Sequence, residues 1–129
     1  MVFADTSYFL ALLDARDQWH SKARKAFQPG LRIITSCEVI NETITRLQRR
    51  GFFSAALVFL TEIRRNPKLE IVYPDSGIQS DGWDFYHRFG GGGATAVDCT
   101  SFVIMKSRRI RKAFAFDKHF KDAGFDVLQ

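Results

Sequence analysis

The chain has little of what ties small proteins to covalent or zinc frameworks. Cys37 and Cys99 are its only cysteines, too few for a disulfide framework and without the C-x-x-C spacing of a metal site. Two isolated thiols suit a reducing interior. His20, His87 and His119 are too scattered to suggest a zinc site. No apolar stretch reaches the roughly 18 residues that cross a bilayer, and no charged leader precedes an apolar run with a small-residue cleavage site. A soluble, cytoplasmic protein is therefore expected. The only low-complexity segment, Gly90 to Gly93, lacks the following Lys-Ser or Lys-Thr of a P-loop. Ser7 and Ser101 lie in no nucleophile elbow.

What is present describes one compact domain, residues 1–129, with 46% hydrophobic and 26% charged residues. That composition is far from the polar, charge-rich make-up of disordered chains. A net charge of +5 favours polyanions such as nucleic acid over acidic proteins or neutral metabolites, a bias shared by many basic proteins that bind no nucleic acid.

The apolar run Met1 to Asp5 reads as a strand, and Thr6 and Ser7 then cap a helix bearing Phe9, Leu10, Leu12 and Leu13. Asp17 to Phe27 reads as a second helix, stopped by Pro29-Gly30 before the strand-like Leu31 to Thr35. Ser36 to Arg50 and Phe52 to Arg65 have helical periodicity and are separated by Gly51, which suggests a helical hairpin. Leu69 to Tyr73 alternates as a strand, Pro74-Asp75-Ser76 reads as a turn, and Ser80 to Phe89 as an aromatic-rich helix. The four glycines that follow read as a hinge or mobile loop. Ala94 to Arg108 is an apolar helix with a basic end, and Ala113 to Phe116 and Phe125 to Leu128 are short strands. Strands alternating with helices imply a three-layer α/β/α sandwich around a mainly parallel sheet, with ligands bound beyond the carboxyl ends of the strands.

Acids fall at or near those ends. Asp5 follows the first strand and Asp117 follows Ala113 to Phe116; each also reads as a cap for the helix after it. Asp98 is the only charge between Ala94 and Met105, where an unpaired buried carboxylate is costly, although Thr95-x-x-Asp98 also fits a capping box. Glu42 lies roughly 130° from the apolar stripe of its helix at about 100° per residue. It is free to face a groove, or to pair with Arg46 one turn on. Glu38 fits a Thr35-x-x-Glu38 capping box and is left out of the set. Carboxylates about 5 Å apart repel by roughly 3 kcal/mol per pair at an effective dielectric of about 20. Divalent cations remove that cost, and oxygen-only ligands suit Mg²⁺ or Mn²⁺.

Asp5-Thr6-Ser7, Asp14 to His20 followed by Ala23, Val39 to Thr43, Asp98 to Ser101, and Phe116 to Phe120 with Gly124-Phe125 behind them, taken in order and spacing, resemble the PIN-domain family and within it the VapC-type toxins of VapBC toxin–antitoxin pairs. The resemblance spans nearly the whole chain. It implies that Asp5, Glu42, Asp98 and Asp117 occupy the family's acidic metal-binding positions and that RNA is cleaved through a water activated by Mg²⁺ or Mn²⁺. It further implies a homodimer and a small antitoxin lying in an apolar groove. Trp19, Phe52 and Phe53 are candidates for that surface or ordinary core aromatics. Lys106, Arg108, Arg109, Arg111 and Lys112 would hold RNA phosphates or simply solvate a helix end. The glycine run departs from a typical member.

Two other readings are consistent with the same residues. A catalytically silent PIN-like module would bind RNA or a protein through the scaffold. A phosphatase of another α/β fold would want a second Asp where Ser7 stands.

Overall fold

The structure is a computed structural model that describes residues 1–128. Five strands, β1 (Val2–Ala4), β2 (Ile33–Ser36), β3 (Leu69–Val72), β4 (Lys112–Phe114) and β5 (Asp126–Val127), form one sheet in the order β3-β2-β1-β4-β5. Every pairing is parallel. The central strand β1 is buried throughout, as a strand covered on both faces must be.

Between β1 and β3 run α1 (Thr6–Leu13), α2 (His20–Ala26), α3 (Cys37–Arg49) and α4 (Phe53–Arg65), with α3 and α4 packed as the expected hairpin. The chain then crosses to the other side of β1 through α5 (Ser76–Phe89) and α6 (Ala96–Ser107), and α7 (His119–Asp122) joins β4 to β5. The connections progress outward in opposite directions from β1 and β4. With right-handed crossovers this puts α1 to α4 on one face and α5 to α7 on the other. It is the three-layer sandwich expected, with a topological switch point between β1 and β4, where such sheets bind ligands.

Aromatic rings fill the core on both faces. Tyr8 packs 4.7 Å from Phe114, and Phe102 meets Phe120 edge-on at 5.0 Å. All four side chains are buried.

Four local expectations change. Helix α2 starts at His20 rather than Asp17, because the Asp17 carboxylate accepts from the Trp19 amide at 2.8 Å and holds a turn there. Pro74-Asp75-Ser76 opens a helix instead of turning the chain: Asp75 accepts from the Ile78 amide and caps α5 at Ser76. Thr35 builds no capping box with Glu38; its hydroxyl donates to the Ala4 carbonyl, and Ser36 caps α3. Gly90–Gly92 form one turn of 3₁₀ helix continuing α5, closed by Gly93 in the left-handed region at φ 103°, where glycine carries no Cβ penalty.

Candidate metal centre

Asp5 and Asp117 lie just beyond β1 and β4 and Asp98 in the first turn of α6, and each acid is held by a local hydrogen bond. Asp5 caps α1: its Oδ2 accepts from the Ser7 amide at 3.1 Å and the Ser7 hydroxyl at 2.7 Å. Asp98 completes a capping box, with Oδ2 accepting from the Thr95 amide at 2.8 Å while the Thr95 hydroxyl accepts from the Asp98 amide at 3.1 Å. Asp117 accepts from the His119 amide at 3.0 Å.

The capping readings are therefore true of Asp5 and Asp98, and they do not compete with a shared site. A carboxylate has two oxygens, so a local bond at one leaves acceptor capacity while fixing the group's orientation. One oxygen from each of Asp5, Asp98 and Asp117 lies within 4.8 Å of the others. Residues 93 positions apart in the chain meet because β1 and β4 are neighbours and the N-terminus of α6 abuts them.

The same cavity, about 270 Å³, is lined also by Thr6, Ser7, Glu42, Arg46, Thr95 and His119. Glu42 thus faces the pocket, half-buried in its wall, but it is not among the three converging carboxylates. No ion pair joins it to Arg46 among the described residues. Glu38 turns elsewhere: its Oε1 accepts from Gln79 of α5 at 2.9 Å, and it does not line the cavity.

Crowding and burial mark the carboxyls of Asp5 and Asp98. Burial first, then the charges of Asp98 and Asp117, push the Asp5 carboxyl up to about 7, against the opposing pull of the Ser7 hydrogen bonds. Burial likewise raises Asp98, with Asp117 adding to it and the Thr95 bonds and His119 offsetting part. Among the described residues no ion pair reaches any of the three. Asp14 is the contrast. It exposes as little surface as Asp5 and Asp98, yet Arg50 and Arg16 lie 3.0 and 3.3 Å away. The Arg16 amide hydrogen bond first, then these cations, hold its carboxyl below the usual range. Where this protein wants a buried carboxylate neutralised by its own residues, it supplies arginine.

The donor set fits a hard divalent cation: three carboxylates, with no thiol or imidazole among the converging atoms. The buried Thr6 hydroxyl in the wall has no partner, a further oxygen open to a water or ion.

Ser7 was overlooked as part of this centre. Its hydroxyl donates to Asp5 and accepts from the Phe116 amide at 3.1 Å, so one side chain ties the end of β1 to the segment that presents Asp117. The D-T-S spelling was visible, but the partner 109 residues away was not. His119 enters the wall as the aromatic neighbour of Gly93. The basic cluster Lys106 to Lys112 lies elsewhere, at the C-terminal end of α6 and the start of β4, the opposite end of the sheet from the acids.

Comparison with known proteins identifies the family and the fold. The family model described as PIN domain matches residues 2–126. The 23S rRNA-specific endonuclease VapC20 of Mycobacterium tuberculosis is 35% identical over 127 residues, covering 97% of this chain and 95% of the relative. The crystal structure of that organism's VapC20, a sarcin–ricin loop cleaving toxin, superposes with a TM-score of 0.87 at 33% identity, over 97% of this chain and 96% of its own. FitAcB from Neisseria gonorrhoeae shares the fold at 13% identity, with a TM-score of 0.69 over 100% and 97% of the two chains. Matched by the family model over a span that includes all three acids, and sharing about a third of its residues with VapC20, the chain belongs to the PIN domain family.

Proposed function

We propose that this protein is a divalent-metal-dependent endoribonuclease, the toxin of a toxin–antitoxin pair, acting on the sarcin–ricin loop of 23S rRNA. The observation that carries the chemistry is the meeting of Asp5, Asp98 and Asp117 in one cavity with no ion pair to any of them among the described residues. The target follows from similarity to VapC20 over nearly the full length of both chains.

In this reading Asp5, Asp98 and Asp117 hold Mg²⁺ or Mn²⁺, and Glu42 is the fourth acid, facing the pocket from α3. The bound ion supplies a low-pKa water and charge neutralisation for phosphodiester cleavage. Ser7 orients Asp5 and Thr95 orients Asp98, so that the ligands are held before substrate arrives. His119 and Arg46, in the cavity wall, offer donors to the phosphate.

A protein partner fits the opposite flank of α1. There an apolar cavity of about 470 Å³ is lined by Leu12, Leu13, Phe27, Val58, Phe59 and Ile63, among others, and we assign it to an antitoxin helix. Of the aromatics first considered for such a surface, Phe53 is 57% exposed. Trp19 stacks on Phe116 at 5.3 Å and Phe52 lies under Arg16, so both serve packing. A second copy of the chain is assigned to the other layer, where Trp83 and Tyr86 of α5 stand exposed. No helix among the described residues is long and apolar enough to cross a membrane, and we assign the activity to the cytoplasm, where ribosomal RNA would be met.

Purified protein with Mn²⁺ should cut a 23S rRNA fragment containing the loop, and Asp5→Asn should abolish the cut. Mn²⁺ should raise the Tm of the wild type and do so much less for Asp98→Asn. RNA bound but left intact would instead establish a catalytically silent module, and equal Tm shifts would separate Asp98 from the metal.

A further inference from the structure

The end of the sheet remote from the acids is strongly basic, and its charge is organised. Lys68, Arg32 and Arg111 immediately precede or open β3, β2 and β4. The Lys68 carbonyl accepts from the Ile33 amide, the Arg32 carbonyl from the Val2 amide, and the Arg111 carbonyl from the Asp126 amide. The strand registers Ile33 with Leu69, Val2 with Ile33 and Phe3 with Ala113 set these three residues and Met1 level across four adjacent strands. At about 4.8 Å per strand the row is about 14 Å long. All three cations are exposed, and none is in an ion pair among the described residues. Like charges side by side on a sheet repel, so the row is not explained by stability.

Beside it, Lys106, Arg109 and Arg111 line a cavity of about 530 Å³ with Gly124, Phe125 and Asp126. Arg109 is held at φ 55°, the only non-glycine in the left-handed region among the described residues; Gly30, Gly51, Gly93 and Gly124 occupy the others. A bulky cation thus stands where the backbone favours glycine. With Lys112 and with Arg108, which pairs with Glu70 at 2.7 Å, the residues named here are seven cations against Glu70 and Asp126. That excess equals in size the net charge of the whole chain, +5.

We propose that this edge is a second RNA-binding surface, gripping the phosphodiester backbone of the folded part of the substrate while the loop to be cut enters the acid pocket. The proposal rests on the RNA-substrate reading above. Guanidinium forks and ammonium groups match phosphate oxygens, whereas the mouth of the site, rich in carboxylates, repels them until its metal is bound. The two surfaces lie at opposite ends of α6, about 15 Å apart from Asp98 to Arg108 at the helical rise. A strand of two or three nucleotides in the pocket is too short to reach the basic edge, at about 3.4 Å per stacked nucleotide, and a folded RNA is not.

The test reads binding of a labelled 23S rRNA stem-loop carrying the sarcin–ricin loop, in EDTA so that it is bound without cleavage, beside cleavage in Mn²⁺ of a short strand, a labelled trinucleotide of the loop sequence. The variant Lys68→Gln/Arg109→Gly/Arg111→Gln should bind the stem-loop at least about tenfold more weakly, and the slope of log Kd against log salt should fall by about 2 to 3. Cleavage of the short strand in Mn²⁺ should match the wild type. Arg109→Gly alone is the control for folding: it should raise Tm, by relieving the strained backbone, and still weaken stem-loop binding. Equal slopes for variant and wild type would overturn the proposal, as would an equal loss in cleavage of the short strand. A slope change without cleavage by the wild type would sink the nuclease reading and leave the surface standing; cleavage with unchanged slope would do the reverse.

Discussion

At the scale of single residues the centre works by dividing labour within each carboxylate, one oxygen in a local hydrogen bond and capacity left for the shared pocket. This is why the sequence could not decide between cap and ligand for Asp5 and Asp98: both descriptions hold. Ser7 is the residue on which that arrangement most depends. Its hydroxyl accepts from the Phe116 amide and donates to Asp5. Ser7→Ala should cost about 1 to 2 kcal/mol, because the Phe116 N–H loses its partner in a half-buried place. It should also lower kcat more than KM, because Asp5 loses its orientation rather than its charge. Ser7→Thr restores the hydroxyl and should recover most of both losses. Urea unfolding and single-turnover cleavage of RNA measure the two effects separately. A stability loss with unchanged kcat would make Ser7 a purely structural link.

At the scale of elements, long periodic helices and buried strands were legible, and segments whose residues favour two local structures were not. Asp75 and Asp17 show the difficulty. Asp caps helices and closes turns through the same side-chain acceptor; it does the first at α5 and the second before α2. Thr35 was misread for a related reason: next to Ser36, either hydroxyl can cap, and the parallel neighbour β1 claims Thr35 through the Ala4 carbonyl. The glycine run was read as mobile from composition alone, yet the four positions are not equivalent. A Cβ at Gly93 would lie 3.0 Å from the His119 ring at a φ of 103°, whereas at Gly91 nothing lies within 4 Å. Gly93→Ala should therefore lose about 1 to 2 kcal/mol and displace His119 from the cavity wall, lowering activity. Gly91→Ala should be neutral or slightly stabilising, since it only restricts the unfolded chain. Thermal unfolding of both variants distinguishes a shaped turn from a loose one; equal destabilisation would mean that the run acts only by its flexibility.

At the scale of the whole molecule, charge is segregated along the strand axis, with carboxylates at one end of the parallel sheet and the basic edge at the other. The cluster Lys106 to Lys112 was plain in the sequence. That it lies away from the acids was not, because only the direction of α6 across the sheet decides it. The acids are left without an ion pair among the described residues, although Arg46 and His119 line their cavity, and this sets how stability depends on pH. The Asp5 carboxyl is raised from its ordinary 3.8 to about 7, and Asp98 is raised as well. As pH climbs from about 4 toward 7, the unfolded chain releases these protons while the folded chain keeps them. The metal-free protein therefore loses stability, by at most about 1.4 kcal/mol per pH unit for each such group, and the loss levels off above the folded value. Asp14 acts in the opposite sense: its lowered carboxyl stabilises the fold above its ordinary range and ceases to do so only in stronger acid. The metal-free wild type should thus be more stable at pH 5 than at pH 8, and Asp5→Asn should flatten that difference. A divalent cation competes with the protons for the same oxygens, so its stabilising effect must grow with pH. Melting curves at pH 5 and pH 8, in EDTA and in Mn²⁺, should show the metal-induced rise in Tm mainly at the higher pH. A rise of the same size at both would mean that the ion binds away from the raised carboxyls, and the shared centre would have to be abandoned.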